Sequence, residues 1–200
     1  MPLTSGSPVV CLASISPRRR ELLAQIGVPH TVVAAHVDES LLAGESPREY
    51  VARLARLKAT TVRSRGESLP VLAADTSVVL DGIVYGKPAD RAEGIAMLEA
   101  LAGRTHEVLT AVALASARGV ALRVNSSSVR FRPIERPELE AYWETGEPRD
   151  KAGGYAIQGY GAVFVADLSG SYSGVMGLPL NEAAELLRAA GIRYWMGAAR

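Results

Sequence analysis

The chain has a single cysteine, Cys11, in 200 residues. No intrachain disulfide can form, so a small secreted scaffold stapled by disulfides is excluded and a reducing, cytoplasmic location is expected. An excess of charge is also missing, since 22 Lys and Arg stand against 21 Asp and Glu for a formal net charge of +1. Bulk electrostatics therefore gives no reason to expect nucleic acid or an anionic membrane as a partner, and any basic site must be local. Phe and Trp are scarce, with 2 of each, and give little for a base-stacking platform. No apolar run approaches the roughly 18 residues of a membrane span. The amino terminus carries no positive charge before its short apolar stretch at 9–13, unlike a secretory signal, so a soluble protein is expected. His30, His36 and His106 fall in no zinc-ligand spacing, and any metal would be a hard cation held by carboxylates.

What is present is an ordinary globular composition, 48% hydrophobic and 22% charged. No repeat, low-complexity stretch or linker divides the chain, and residues 1–200 read as one unit. Residues 9–14 predict a buried strand, and Ser16-Pro17 then opens a helix to about Ile26 that Gly27 closes. A strand is predicted at 30–35. Ser46 and Glu49 form a capping box at the head of a long helix, which carries Val51, Leu54, Ala55 and Lys58 on one face. Residues 71–80 and 83–85 read as a hairpin around Asp81-Gly82. Asp90 and Glu93 repeat the capping spacing before a helix that Gly103 ends, and 106–116 and 120–131 predict two antiparallel strands. A short helix from Pro137 to Gly146, a strand at 162–168 and a last helix at 179–190 complete the pattern. Interleaved helices, strands and hairpins predict an α/β fold, a mixed, partly antiparallel twisted sheet with flanking helices.

Three segments carry polar residues where a plain scaffold would carry apolar ones. In Ser14-Ile15-Ser16-Pro17-Arg18-Arg19-Arg20, three cations crowd a helix start and oppose the helix dipole unless an anion sits there. That combination is a phosphate site, or else a solvated basic face. In Leu72-Ala73-Ala74-Asp75-Thr76-Ser77-Val78-Val79, a carboxylate inside an apolar strand is costly unless paired or metal-bound. Asp75 is thus the best single candidate for chemistry, the alternative being an edge-strand Asp turned to solvent. The hairpin returns through Gly86-Lys87-Pro88 and brings a cation near the same sheet end, without the Ser or Thr that a Walker motif needs after its Lys. The third segment, 146–179, holds eight glycines, a density that suggests backbone approaching something closely. Within it Gln158 offers both a donor and an acceptor to a base edge, or stabilises its own loop.

Arginines at a helix start, a buried carboxylate, a nearby lysine and an amide loop fit one task, the binding and cleavage of a nucleotide's polyphosphate. A second carboxylate for a metal is available in Glu39, after the second predicted strand, unless it is a plain surface-loop residue.

These residues resemble the Maf family of nucleoside triphosphate pyrophosphatases. The likeness rests on residues 12–23, on Ala74-Asp75-Thr76 through Gly86-Lys87-Pro88, on 146–159 and on 170–179, and it spans nearly the whole chain. It implies an inosine-triphosphatase-like fold with two lobes around a cleft, a divalent cation (Mg²⁺ or Mn²⁺), and hydrolysis between the α and β phosphates. The products would be a nucleoside monophosphate and pyrophosphate. The resemblance also implies roles: Asp75 as proton acceptor and, with Glu39, metal ligand; Arg18, Thr76 and Gln158 as residues that tune substrate choice; Ser14, Arg19, Lys58 and Lys87 as phosphate contacts. The Lys-Ala-Gly-x-Tyr-x-Ile-Gln-Gly form of 151–159 is similar to the branch acting on dTTP and UTP rather than 7-methyl-GTP. A nucleoside triphosphate is the implied partner, without nucleic acid or membrane, and a homodimer is expected because the family often dimerises. The second reading is a non-catalytic nucleotide-binding regulator of septum formation, which would need the phosphate contacts but not Asp75.

Overall fold

The computed structural model describes residues 7–195, and the amino-terminal residues 1–6, on which the expectation about a secretory signal partly rests, lie outside the described residues. Among the described residues no helix is long and apolar enough to cross a membrane. The elements run β1 (Val10–Leu12), α1 (Pro17–Gln25), β2 (His30–Val32), α2 (Pro47–Ser64), β3 (Val71–Leu80), β4 (Ile83–Tyr85), α3 (Arg91–Leu101), β5 (Thr105–Ser116), β6 (Gly119–Phe131), α4 (Arg136–Glu144), β7 (Val165–Ser169), α5 (Tyr172–Met176) and α6 (Leu180–Ala189). The strands form a seven-stranded mixed sheet in the order β2-β1-β3-β5-β6-β7, with β4 also on β3. β1 is parallel to β2 and β3, and the remaining pairings are antiparallel.

Local chemistry accounts for most boundaries. The Ser46 hydroxyl accepts the Glu49 N–H while the Glu49 carboxylate accepts the Ser46 N–H at 3.0 Å, which satisfies two orphan donors at the head of α2. Asp81 and Gly82 both have positive φ, 52° and 77°, as a type I′ turn between β3 and β4 requires. At the head of α3, Asp90 caps Glu93 as predicted, but Glu93 reaches back to the Ala89 N–H rather than to Asp90, so this box is not reciprocal. The predicted strand at 30–35 pairs only over 30–32.

Alternation along β3 divides the core. Ala73 and Val79 face α2 with its Val51, Ala55, Ala59 and Val62. On the other face, Leu72 and Ala74 pack beside Leu22 and Leu23 of α1 and Leu186 and Leu187 of α6. Farther along that face, Val78 and Leu80 join a separate cluster with Leu98, Phe131 and Tyr155. Between these two clusters the cross-strand pair is Thr76 and Thr110, so a polar band interrupts the apolar face.

The strand expected at 162–168 is a correction. Residues Tyr160–Phe164 form a 3-10 turn and pairing with β6 begins only at Val165. The alternation of apolar residues there reflects partial burial of a turn whose first N–H groups are taken by the Glu147 carboxylate. The short helix α5 was not anticipated, because five residues with a glycine at their centre are too few to show a helical period.

Candidate active site

β1 leaves the sheet after Leu12, its last pairing on β3 being with Leu72, and β4 joins β3 only at Val78. Over 74–77, β3 therefore has no strand neighbour on one edge. Open α/β sheets bind ligands outside the carboxyl ends of parallel strands, and Asp75 and Thr76 sit in such a gap. Asp75 lies in a central strand and is 6% exposed, which removes the edge-strand alternative.

Because side chains alternate, Asp75 and Thr76 project to opposite faces. Asp75 turns to α2, where Lys58 Nζ donates to its Oδ1 at 2.7 Å, and the same ammonium lies 2.7 Å from Glu39 Oε1. α2 also anchors the loop that carries Glu39: the Tyr50 hydroxyl donates to the Glu39 carbonyl at 2.8 Å, and Arg53 donates to the Ser40 carbonyl at 2.9 Å. Burial pushes the Asp75 carboxyl above the usual carboxylate range, and the Lys58 and Arg19 charges oppose that rise. Its Oδ2 has no hydrogen-bond partner among the described residues.

On the other face Thr76 meets Arg19. The guanidinium donates from Nε to the Gly177 carbonyl at 2.8 Å, from Nη2 to Thr76 Oγ1 at 3.2 Å and from Nη1 to Ser14 Oγ at 3.4 Å. Three of its five N–H groups are engaged, and two remain for a ligand. The Thr110 hydroxyl lies 3.0 Å from that of Thr76 and donates to the Gly174 carbonyl at 2.8 Å. Ser14 Oγ also accepts the Ser16 N–H at 3.2 Å, which shapes the entry into α1. No side chain caps α1 and its first turn holds no acid, so its free N–H groups and Arg18 face the same space.

That space is a cleft between α1, β3 and the 150–158 segment. Four cations line it, Arg18, Arg19, Lys87 and Lys151, against one carboxylate, Asp150. Arg18 Nη1 lies 3.7 Å from Asp150, and Lys151 also pairs with that Asp. The two sides of the cleft are tied together where the Gly153 N–H donates to the Gly86 carbonyl at 3.0 Å, beside Lys87. Gln158, Tyr155, Val78 and Met176 complete the lining.

The structure thus gathers Arg18, Arg19, Thr76, Lys87 and Gln158 around one cleft, with Ser14 joined through Arg19. Asp75, Lys58 and Glu39 form a second cluster on the α2 side of β3, near enough to the cleft for the Arg19 charge to act on Asp75. Lys58, expected as a phosphate contact, has its ammonium divided between the Asp75 and Glu39 carboxylates. The glycine-rich segment does bring backbone into close approach. A Cβ at 153 would lie 2.9 Å from Val78 Cγ2, and one at 159 would lie 1.9 Å from Glu147 Oε2; the close approach is to the protein itself. Sequence reasoning missed Thr110 and Glu147. Thr110 carried the same signal as Asp75, a polar residue inside an apolar strand run. Glu147 offered no such signal.

Among known proteins, residues 9–190 match the model of a family described as Maf-like protein. A dTTP/UTP pyrophosphatase of Alkalilimnicola ehrlichii is 55% identical over 94% of this chain and 95% of its own length. That of Saccharophagus degradans is 52% identical over 94% and 91%, and that of Bordetella parapertussis 51% identical over 95% and 96%. A solved structure of the Staphylococcus aureus Ham1 protein aligns with 90% of this chain and 96% of its own at 15% identity, with a TM-score of 0.48.

Proposed function

This chain belongs to the Maf-like protein family, and from that membership we propose that it hydrolyses dTTP and UTP between the α and β phosphates, releasing the nucleoside monophosphate and pyrophosphate. Relatives that it matches over nearly their full length at 51–55% identity carry the name dTTP/UTP pyrophosphatase. The observation that carries the mechanism is the Asp75 carboxylate, held by Lys58 at the open edge of β3 beside a cation-lined cleft.

The triphosphate lies along the α1 amino terminus, where Arg18, the two free N–H groups of Arg19, and Lys87 and Lys151 take its negative charge. With Oδ1 fixed by Lys58, Asp75 Oδ2 accepts a proton from water as the water oxygen bonds to the α phosphorus. The bond from that phosphorus to the α–β bridging oxygen breaks, and pyrophosphate leaves on the cations. Burial raises the Asp75 pKa, which makes the carboxylate a stronger base, and the Lys58 charge opposes that rise. Gln158, across the cleft, presents an amide to the base.

Asp75 and Glu39 also fit a divalent ion. Both carboxylates lie within 2.7 Å of one ammonium, so they are close enough to share a cation. Among the described residues no group of three or more His, Cys, Asp or Glu side chains gathers to hold one. Two carboxylates completed by phosphate oxygens and water is the usual manner of Mg²⁺. When bound, such an ion would neutralise phosphate charge as a Lewis acid. The test of the whole reading is pyrophosphate release from dTTP and UTP with Mg²⁺ or Mn²⁺ by the wild type and by Asp75→Asn.

A further inference from the structure

Gln158 is exposed in the cleft wall, and among the described residues no protein group hydrogen-bonds its amide. Nothing holds that side chain directly, so its placement depends on the backbone that carries it. That backbone is pinned on both sides of residue 158 by two side chains from α4 and the turn after it. Upstream, the Tyr142 hydroxyl accepts the Ala156 N–H at 3.2 Å and donates to Glu147 Oε1 at 2.7 Å. Downstream, Glu147 Oε1 accepts the Gly161 N–H at 2.9 Å and Oε2 accepts the Tyr160 N–H at 3.0 Å. One carboxylate takes three donors, and with one phenol it fixes residues 156, 160 and 161.

The loop is pressed onto this pair. A Cβ on Gly159 would overlap the Glu147 carboxylate, and one on Gly161 would lie 2.7 Å from the Tyr142 hydroxyl. The rigid part of the base reader is therefore not Gln158 but the carboxylate and phenol behind it. Tyr142 is 5% exposed and packs edge-on against Phe164 at 5.0 Å, so its hydroxyl has one fixed position.

We propose that Glu147, acting with Tyr142, is a positioning residue for base recognition: it sets the height and tilt of the 156–161 loop so that the Gln158 amide meets the acceptor and donor edge of a pyrimidine dione. This rests on the dTTP/UTP reading of the site. An amide displaced by 1 Å loses its paired hydrogen bonds to the base while the phosphate contacts on the opposite wall remain.

The test is Glu147→Gln, which keeps the shape but turns one acceptor oxygen into an NH₂ group that cannot accept a backbone N–H. KM for dTTP should rise about tenfold with kcat within about threefold, and the ratio of kcat/KM for dTTP over dCTP should fall about tenfold, the size of one lost hydrogen bond. In a Gln158→Ala background the same substitution should change that ratio less than about twofold, because its effect runs through Gln158. Tyr142→Phe, which keeps the ring and loses the hydroxyl, should move the ratio in the same direction and serves if Glu147→Gln does not fold. A ratio unchanged in both variants, an equal loss of kcat on every nucleotide, or full additivity with Gln158→Ala would overturn the inference. Calorimetric binding of dTTP and dCTP reads the same ratio without turnover. A wild type that binds dTTP selectively but does not cleave it sinks the proposed reaction alone, whereas a wild type with no base preference removes this inference.

Discussion

Replacing Lys58 with Met isolates what the shared ammonium does. In the wild type its Nζ lies 2.7 Å from both Asp75 and Glu39, and Asp75 is almost wholly buried. A cation within 4–6 Å moves a carboxylate pKa by about 1–3 units. Burial alone already raises Asp75, and Lys58 is the largest influence opposing it. Without the ammonium the Asp75 pKa should climb further, and the acid limb of the kcat/KM profile for dTTP should move up with it. Stability should move the other way. A carboxylate whose folded pKa exceeds its unfolded value favours the fold below the unfolded pKa, and that contribution is lost as pH rises through the folded pKa. Lys58→Met should therefore lose stability on going from acid toward alkaline pH, reaching about 3–5 kcal/mol below wild type where Asp75 is ionised and unpaired. Pyrophosphate release across pH, beside urea denaturation at the same values, reads both trends. An acid limb that stays within about 0.3 unit of wild type would refute the role given to Lys58.

Arg19→Lys keeps the charge but cannot reach the Gly177 carbonyl, Thr76 and Ser14 at once; kcat/KM should fall about 10–100-fold in steady-state assays, mostly through KM. Gly153→Ala combines a φ of 66° with a Cβ 2.9 Å from Val78 Cγ2, and should cost about 1–3 kcal/mol in a denaturation curve. His106 is buried, its Nε2 lies 2.8 Å from the Tyr155 hydroxyl, and burial lowers its pKa to about 4 from 6.5. Its folded pKa is depressed, so the stability it permits is full above the unfolded pKa and is lost as pH falls toward 4. His106→Phe should remove roughly 3 kcal/mol of acid sensitivity over that window, measured by urea denaturation at pH 7 and pH 4.

Where chain-local chemistry decides structure, the sequence was legible. The Ser46 and Glu49 box, the Asp81-Gly82 turn and the glycines that close α1, α3 and α6 each act within a few residues, and each stands where expected. Asp75 was legible for a related reason, since a carboxylate inside an apolar run has few explanations. What escaped depended on contacts distant in sequence. That Asp75 and Thr76 sit at an open strand edge follows from β1 ending at Leu12 beside a β3 that continues, a property of strand register and not of either residue. The pairing of Lys58 with Glu39, nineteen positions away, was not legible for the same reason. The glycines of 146–179 were correctly read as sites of close approach, but their neighbours are Val78, Glu147 and Tyr142, which only the fold brings there.

The most direct measurement is pyrophosphate release from dTTP, UTP, CTP, GTP and 7-methyl-GTP with Mg²⁺ or Mn²⁺, comparing wild type with Asp75→Asn at matched folding by circular dichroism. The expected result is turnover of dTTP and UTP that falls at least about a hundredfold in the variant. Nucleotide that binds without being cleaved, or an Asp75→Asn enzyme of near-normal rate, would contradict it.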